Sequence, residues 1–174
     1  MNFEGKKCLI AYFSRKGNNY VNSKIVNLSI GNTEVIAKMI NEIISADMFH
    51  IDTIKQYPEA YEETIKVAKQ DLRSNARPEL LDRAADMNEY SIIFLGYPNW
   101  CGTMPMAVCT FLESHNLSGK TIIPFCTHEG SGLGGSVRLI VKLCPKSEIV
   151  NPISFRGGSV KNARREVENW LKGN

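Results

Sequence analysis

The residues best suited to chemistry lie in three polar, glycine-containing loops, at 14–32, 96–105 and 127–135. Their side chains and peptide groups suit the binding of a phosphorylated planar molecule. None of the five cysteines forms a CxxC pair, and zinc-ligand spacing is absent. Cys126 and His128 lie on one face of a predicted strand, but that spacing does not set a productive nucleophile–base contact. We therefore assign no catalytic residue and no metal ligand.

The end of the first loop, Gly31-Asn32-Thr33, is the better of two glycine turns for binding an anion. Helical periodicity begins only after Thr33, and a helix N-terminus offers unpaired N–H groups and the positive end of the helix dipole. Asn32 and Thr33 either donate to a phosphate or simply cap the helix, and Gly31 lets the backbone approach closely. Ser14 can add a hydroxyl. The turn at Gly17 precedes no helix.

Residues 18–30 form an insertion between Ser14 and the glycine turn before the helix. Val26, Leu28 and Ile30 alternate with polar residues, and Asn22-Ser23 could form a tight turn. The pattern predicts a small hairpin flap. Such a flap either covers the anion site or is only a surface excursion, and we favour the cover.

The second loop, GYPNWCGTMP at 96–105, combines aromatic residues with prolines at a predicted strand end. Trp100 could form a stacking wall for a flat ligand, or it could simply cap the core. Gly102 could offer a peptide group to a ring nitrogen. Cys101, beside the tryptophan, is a candidate for an exposed and redox-sensitive thiol.

The third loop contains a GxGxxG pattern that includes Gly130 and Gly132, after a predicted strand and before a predicted helix. The match to a dinucleotide fingerprint is weak, because Arg156 stands where an acidic ribose-binding residue is expected. That arginine could still meet the 2′-phosphate of NADP. The favoured interpretation is a backbone loop that supplies N–H groups to a ligand edge. His128 is either a ligand contact or a hydrogen-bonded loop histidine.

Alternating strands and helices must position these loops. Apolar runs and period-two patterns predict five strands, and 3.6-residue periodicity predicts five helices. This alternation gives a parallel sheet with helices on both faces and ligand sites at the carboxyl ends of the strands. The predicted strands are 6–13, 46–54, 90–98, 120–128 and 147–155, and the predicted helices are 33–44, 59–72, 106–115, 136–144 and 160–173. Residues 73–88 are predicted to be a long surface connection with a short helical turn.

Composition restricts the class of protein. The 174 residues suit one domain, 1–174, and 43% hydrophobic residues suffice for a core. The net charge of +3 is too weak to indicate nucleic acid binding, and no apolar run reaches the ~18 residues of a membrane span. The N-terminus does not read as a signal peptide, so we expect a cytoplasmic protein.

Taken together, the segments AYFSR, GNT at 31–33, GYPNWCGTMP and FCTHEGSGLGGS resemble those of flavodoxin-like FMN proteins. The resemblance extends from KKCLIAYFS to NWLKG. It implies an α/β fold, a three-layer sandwich with a five-stranded parallel sheet in the order 2-1-3-4-5. The family's phosphate loop has the form T/S-x-T-G-N-T, which the insertion splits here into Ser14-Arg15 and Gly31-Asn32-Thr33. Whether Lys16 or Ile30 takes the middle position stays open.

The resemblance also implies FMN as the cofactor and a set of residues that bind it. These residues belong to the split phosphate loop, to the aromatic loop beside the isoalloxazine, and to the loop at the pyrimidine edge. They are Ser14, Arg15, Lys16, Gly31, Asn32, Thr33, Pro98, Asn99, Trp100, Cys101, Gly102, Thr127, His128, Glu129, Gly130 and Gly132.

Three functions remain open at this stage. The first is electron transfer through non-covalent FMN, with a redox partner protein or a small-molecule acceptor. The second is an NAD(P)H-dependent FMN reductase acting on quinones or similar acceptors; the +3 charge favours it, because carrier flavodoxins are generally acidic. The third is a flavodoxin-fold binding module without a cofactor. The sequence does not give the oligomeric state.

Overall fold

The computed structural model describes residues 3–82 and 86–173. Residues 83–85 of the predicted surface connection, and both ends of the predicted 1–174 domain, lie outside this range. The strands are β1 (Cys8–Tyr12), β2 (Gly17–Val21), β3 (Lys24–Leu28), β4 (Asp47–His50), β5 (Ile92–Pro98), β6 (Thr121–His128), β7 (Glu148–Ile149) and β8 (Ile153–Arg156). The helices are α1 (Asn32–Ile44), α2 (Tyr61–Ser74), α3 (Met106–Ser114), α4 (Ser136–Leu143) and α5 (Arg164–Lys172).

The central sheet is parallel throughout and has the order β4-β1-β5-β6, with β7 and β8 both paired to the free edge of β6. This is the order 2-1-3-4-5 that the resemblance to flavodoxin-like proteins implies, and the order is therefore confirmed. The fifth strand is divided into two pieces. The division falls at Asn151, whose φ is 47°, and Pro152, which has no N–H to donate to the ladder.

The inner strands are buried on both faces, and their side chains alternate between two core layers. Leu9 and Ala11 of β1 face the layer that contains α3 and Ile140 of α4. Cys8 and Ile10 face the layer formed with α1 and α5. The predicted three-layer α/β sandwich is therefore confirmed. Its geometry brings the carboxyl ends of β1, β5 and β6 to one edge of the sheet.

Several element boundaries differ from the predictions. The second sheet strand ends at His50 instead of residue 54, and Thr53 instead pairs with Leu80 in an isolated antiparallel bridge, with its N–H accepted by the Asp52 carboxylate. The last helix begins at Arg164 instead of residue 160, because 157–162 forms a 3₁₀ turn. Within the predicted connection, a short 3₁₀ turn covers Met87–Glu89.

Strands β2 and β3 form a separate antiparallel hairpin inside the segment for which the sequence predicts a flap. The turn residues Asn22 and Ser23 have φ values of 49° and 64°, as a two-residue type I′ turn requires. Asn tolerates this left-handed conformation better than most residues.

No helix in the described ranges is long and apolar enough to cross a bilayer.

Candidate functional site

The two halves of the split loop meet at the N-terminus of α1. The Ser14 hydroxyl accepts the backbone N–H of Glu34 over 3.1 Å, so it caps the helix from a distant part of the chain. A Cβ on Gly31 would lie 2.2 Å from Ser14 Oγ and 2.6 Å from the Arg15 carbonyl oxygen. Since φ of Gly31 is an ordinary −71°, close approach explains the glycine better than backbone strain does.

The first turn of α1 presents backbone N–H groups that no residue inside the helix can accept. The N–H of Glu34 goes to Ser14, and that of Val35 goes to the Gly31 carbonyl. The amides of Asn32 and Thr33 are therefore the ones at this helix end that suit an anion. The Thr33 hydroxyl is engaged elsewhere: it lies 2.8 Å from the Thr127 hydroxyl, in a buried pair that joins α1 to β6.

The Arg15 guanidinium is occupied by backbone carbonyls, and Lys16 is not on the wall of the cavity described below. The Arg15 guanidinium donates to the carbonyls of Asn18, Pro58 and Glu59, and thereby fixes the base of the hairpin to the segment before α2. Burial lowers the pKa of Arg15, and Glu59 partly offsets that effect. Lys16 is exposed and lines a separate groove beside the hairpin base.

Trp100 is held in a fixed orientation by its aromatic neighbours. The rings of Phe13 and Tyr57 meet it edge-on, with centroid distances of 5.2 and 5.0 Å. Cys101 and Gly102, with φ values of 54° and 85°, form the tight turn that follows. Both turn residues are exposed and stand outside the cavity wall described below. Trp100 therefore offers a preorganised aromatic surface beside this turn.

Asn99 joins the second loop to the third. Its side-chain amide donates to the Gly132 carbonyl over 2.8 Å, and its side-chain oxygen accepts the Gly102 N–H over 3.0 Å. The Gly102 carbonyl in turn accepts from the N–H of Gly135 over 2.8 Å. The loops after β5 and β6 therefore form one hydrogen-bonded unit, in which the Gly102 peptide N–H is already engaged.

His128 ends β6 at the mouth of the site. Its Nδ1 accepts the N–H of Gly130 over 2.8 Å, which places any ring proton on Nε2. Burial lowers the pKa of His128; Glu129 opposes that effect, and Arg156 adds to it. The lowered pKa favours the neutral form of the imidazole.

The hairpin covers the site and contributes residues that the sequence did not single out. Tyr20 stacks on Tyr61 of α2 at a centroid distance of 5.9 Å and an interplanar angle of 20°. At the hairpin tip, the backbone N–H of Asn22 donates to Glu129 Oε2 over 3.1 Å. The hairpin is thus fastened at its base, its middle and its tip.

Together these elements enclose a cavity of about 120 Å³. The predicted site residues on its wall are Ser14, Arg15, Asn32, Thr33, Pro98, Asn99, Trp100, Thr127, His128 and Glu129. Predicted residues outside the wall are Lys16, Gly31, Cys101, Gly102, Gly130 and Gly132. The wall also contains Asn19, Tyr20, Tyr61 and Gly157, which the sequence analysis did not select. The predicted flap pointed to the first two, whereas no sequence pattern pointed to Gly157.

Comparison with known proteins decides the family. A family model described as Flavodoxin matches residues 7–174. The chain belongs to the flavodoxin family. The resemblance predicted from the sequence is therefore confirmed, and FMN is the cofactor associated with that family. A search of curated proteins finds no significant match.

Solved structures give the same fold. A proposed flavoprotein from Bacteroides uniformis is 26% identical, with a TM-score of 0.76 and coverage of 97% of this flavodoxin-family chain and 99% of the other. A proposed flavoprotein from Bacteroides eggerthii is 24% identical, with a TM-score of 0.78, and the match covers 97% of this chain and 98% of the other. A Lactobacillus acidophilus flavoprotein in complex with FMN is 19% identical, with a TM-score of 0.66, and the match covers 96% of this chain and 99% of the other.

Proposed function

We propose that this protein binds FMN non-covalently in the cavity and transfers electrons through it. One observation carries the proposal: the N-terminus of α1 and the ring of Trp100 line the same cavity. The first supplies donors for a phosphate, and the second supplies a flat apolar surface. The Lactobacillus acidophilus relative, whose structure was solved in complex with FMN, supports the choice of ligand.

The residues of the cavity fit such a group in distinct ways. The amides of Asn32 and Thr33 would hold the phosphate, and Gly31 keeps the backbone of the split loop close enough to shape that cradle. Trp100, fixed by two aromatic neighbours, would exclude water from one side of the ring. FMN would supply the redox chemistry itself, while these residues bind and orient it.

The cavity volume bears on how much of the nucleotide is enclosed. About 120 Å³ is smaller than the roughly 300–1,000 Å³ of sites that enclose a drug-sized ligand. The enclosed space therefore suits the phosphate end of FMN, with the flat ring reaching out along the aromatic mouth. To enclose the whole nucleotide, the cavity would have to enlarge, which would require the hairpin to move away at its Tyr20 or Asn22 contact.

The direct test is titration of the purified protein with FMN, followed by the visible spectrum and the flavin fluorescence. We expect one equivalent of FMN to be bound, with quenching of fluorescence by the aromatic wall. Absence of both a bound flavin spectrum and quenching would refute the flavin proposal. It would favour instead a flavodoxin-fold binding module that works without a cofactor.

A second candidate, an NAD(P)H-dependent reductase of quinones or similar acceptors, has its own support. The net charge of +3 does not suit docking to the basic partners that acidic carriers use. Turnover of NAD(P)H with a quinone by the FMN-loaded protein would support the reductase. Its absence, with electron delivery to a protein acceptor intact, would support the carrier.

A further inference from the structure

Glu129 places a carboxylate in the wall of the cavity without fully pairing it. Its Oε1 is buried and has no hydrogen-bond partner among the described residues. Its Oε2 accepts the backbone N–H of Asn22 over 3.1 Å. Among the described residues it pairs with Arg156, whose Nε is 4.0 Å from Oε2 and whose side chain is 62% exposed, so this ion pair is weak.

The unpaired oxygen lies close to the side-chain amide of Asn32. A Cβ placed on Gly157 would lie 2.4 Å from Glu129 Oε1 and 2.5 Å from Asn32 Nδ2, so both atoms crowd against one side of this glycine. Asn32 is the first residue of α1. The Glu129 carboxylate and the proposed phosphate cradle therefore share one end of a small cavity.

We propose that Glu129 determines how strongly this site distinguishes a phosphorylated flavin from an unphosphorylated one. The inference rests on the proposed binding of FMN. A carboxylate and a phosphate in one confined, poorly screened cavity repel each other. The cradle at α1 favours the phosphate, and Glu129 opposes it, so the preference for FMN over riboflavin is smaller than the cradle alone would give.

A different role for Glu129 would leave a different signature. The unpaired Oε1 could accept a hydrogen bond from a hydroxyl or a ring N–H of the ligand, as a buried acceptor requires. FMN and riboflavin share the ribityl chain and the ring, so that role affects both ligands alike. Charge repulsion affects only the ligand that carries the phosphate. Comparison of the two ligands therefore separates the two roles.

The experiment measures dissociation constants for FMN and for riboflavin by fluorescence quenching, in the wild type and in three variants. Glu129→Gln removes the charge but keeps an oxygen that can accept the Asn22 N–H. Glu129→Asp keeps the charge. Glu148→Gln, on an exposed residue at the opposite end of β6, is the control for net charge.

We expect Glu129→Gln to bind FMN about tenfold more tightly, equivalent to about 1.4 kcal/mol, while riboflavin binding changes less than twofold. The gain should shrink as ionic strength rises. Glu129→Asp and Glu148→Gln should not tighten FMN binding. A thermal melt of each variant checks that the fold is retained.

Four results would overturn the inference. Weaker or unchanged FMN binding in Glu129→Gln would contradict repulsion between the carboxylate and the phosphate. An equal change in riboflavin binding would instead show that Glu129 contacts the ribityl chain or the ring, which both ligands share. Equal tightening by Glu129→Asp would show that charge is not the cause. If no variant and no wild-type protein takes up either flavin, the proposed function itself fails, and the inference fails with it.

Discussion

The split loop makes a quantitative prediction at Gly31. In Gly31→Ala, the new Cβ would meet the Arg15 carbonyl oxygen at 2.6 Å and its carbonyl carbon at 2.9 Å. These are backbone atoms, so rotation of a side chain cannot relieve the contact. Overpacking of this kind costs about 1–3 kcal/mol, and we expect about 2 kcal/mol. For a chain of this length, that corresponds to a Tm lowered by about 4–8 °C.

The matched control is Gly135→Ala. Gly135 is the residue before α4 as Gly31 is before α1, its φ is an ordinary −87°, and an added Cβ would meet only the Gly102 carbonyl oxygen, at 3.7 Å, and Arg138 Nη2, at 4.0 Å. The difference between the two variants therefore isolates the clash from the cost of alanine at a helix start.

The assays are thermal unfolding followed by circular dichroism and FMN titration by fluorescence. We expect Gly31→Ala to melt below Gly135→Ala and to bind FMN at least about tenfold more weakly, because displacement of the Ser14–Arg15 segment disturbs the amides of α1. Equal melting temperatures in the two variants, with FMN affinity unchanged by Gly31→Ala, would refute the close packing of the two loop halves.

Three further predictions follow from buried and exposed groups. Thr33→Val and Thr127→Val should each lower the free energy of unfolding in urea by about 1–3 kcal/mol, because each substitution leaves the partner's buried hydroxyl unpaired. The double variant should lose less than the sum of the two single losses, and strict additivity would contradict the pairing. Cys101 is exposed as a residue, but partial burial of its thiol group raises the thiol pKa, so a maleimide should label Cys101 slowly at neutral pH and faster at alkaline pH. The Cys101→Ser variant should stay unlabelled in the native state, and fast labelling of the wild type at neutral pH would contradict the raised pKa. Burial lowers the pKa of His128, so its NMR titration should have a midpoint below pH 6.5, and a midpoint above 6.5 would contradict the burial of the ring. The contribution of neutral His128 to stability should be complete above pH 6.5 and should be lost as the pH falls through the pKa of the folded state.

Much of the site could be predicted because its parts are local. A helix start after a glycine turn, an aromatic strand end and a glycine-rich loop are each encoded within about ten residues. Once the strand alternation places their strands side by side, the loops must converge at one sheet edge. Ten of the sixteen predicted residues lie on the cavity wall for this reason, including Asn32, Trp100 and His128.

The side-chain directions at the site could not be predicted in the same way. Arg15 lies beside the anion site in sequence, yet its guanidinium is used by the carbonyls of Asn18, Pro58 and Glu59. Gly102 follows Trp100 closely, yet its N–H is engaged by Asn99. These partners depend on the paths of loops, and loop paths follow from packing more than from local periodicity.

The sequence alone determined the alternation of strands and helices, because apolar periodicity reports which face of each element is buried. Its resemblance to flavodoxins supplied the strand order that the structure confirms. Only the tertiary structure decided that the hairpin closes on the site and that Glu129 shares an end of the cavity with Asn32. Glu129 is more than 90 positions from both Asn22 and Asn32, so folding, rather than any local sequence pattern, brings them together.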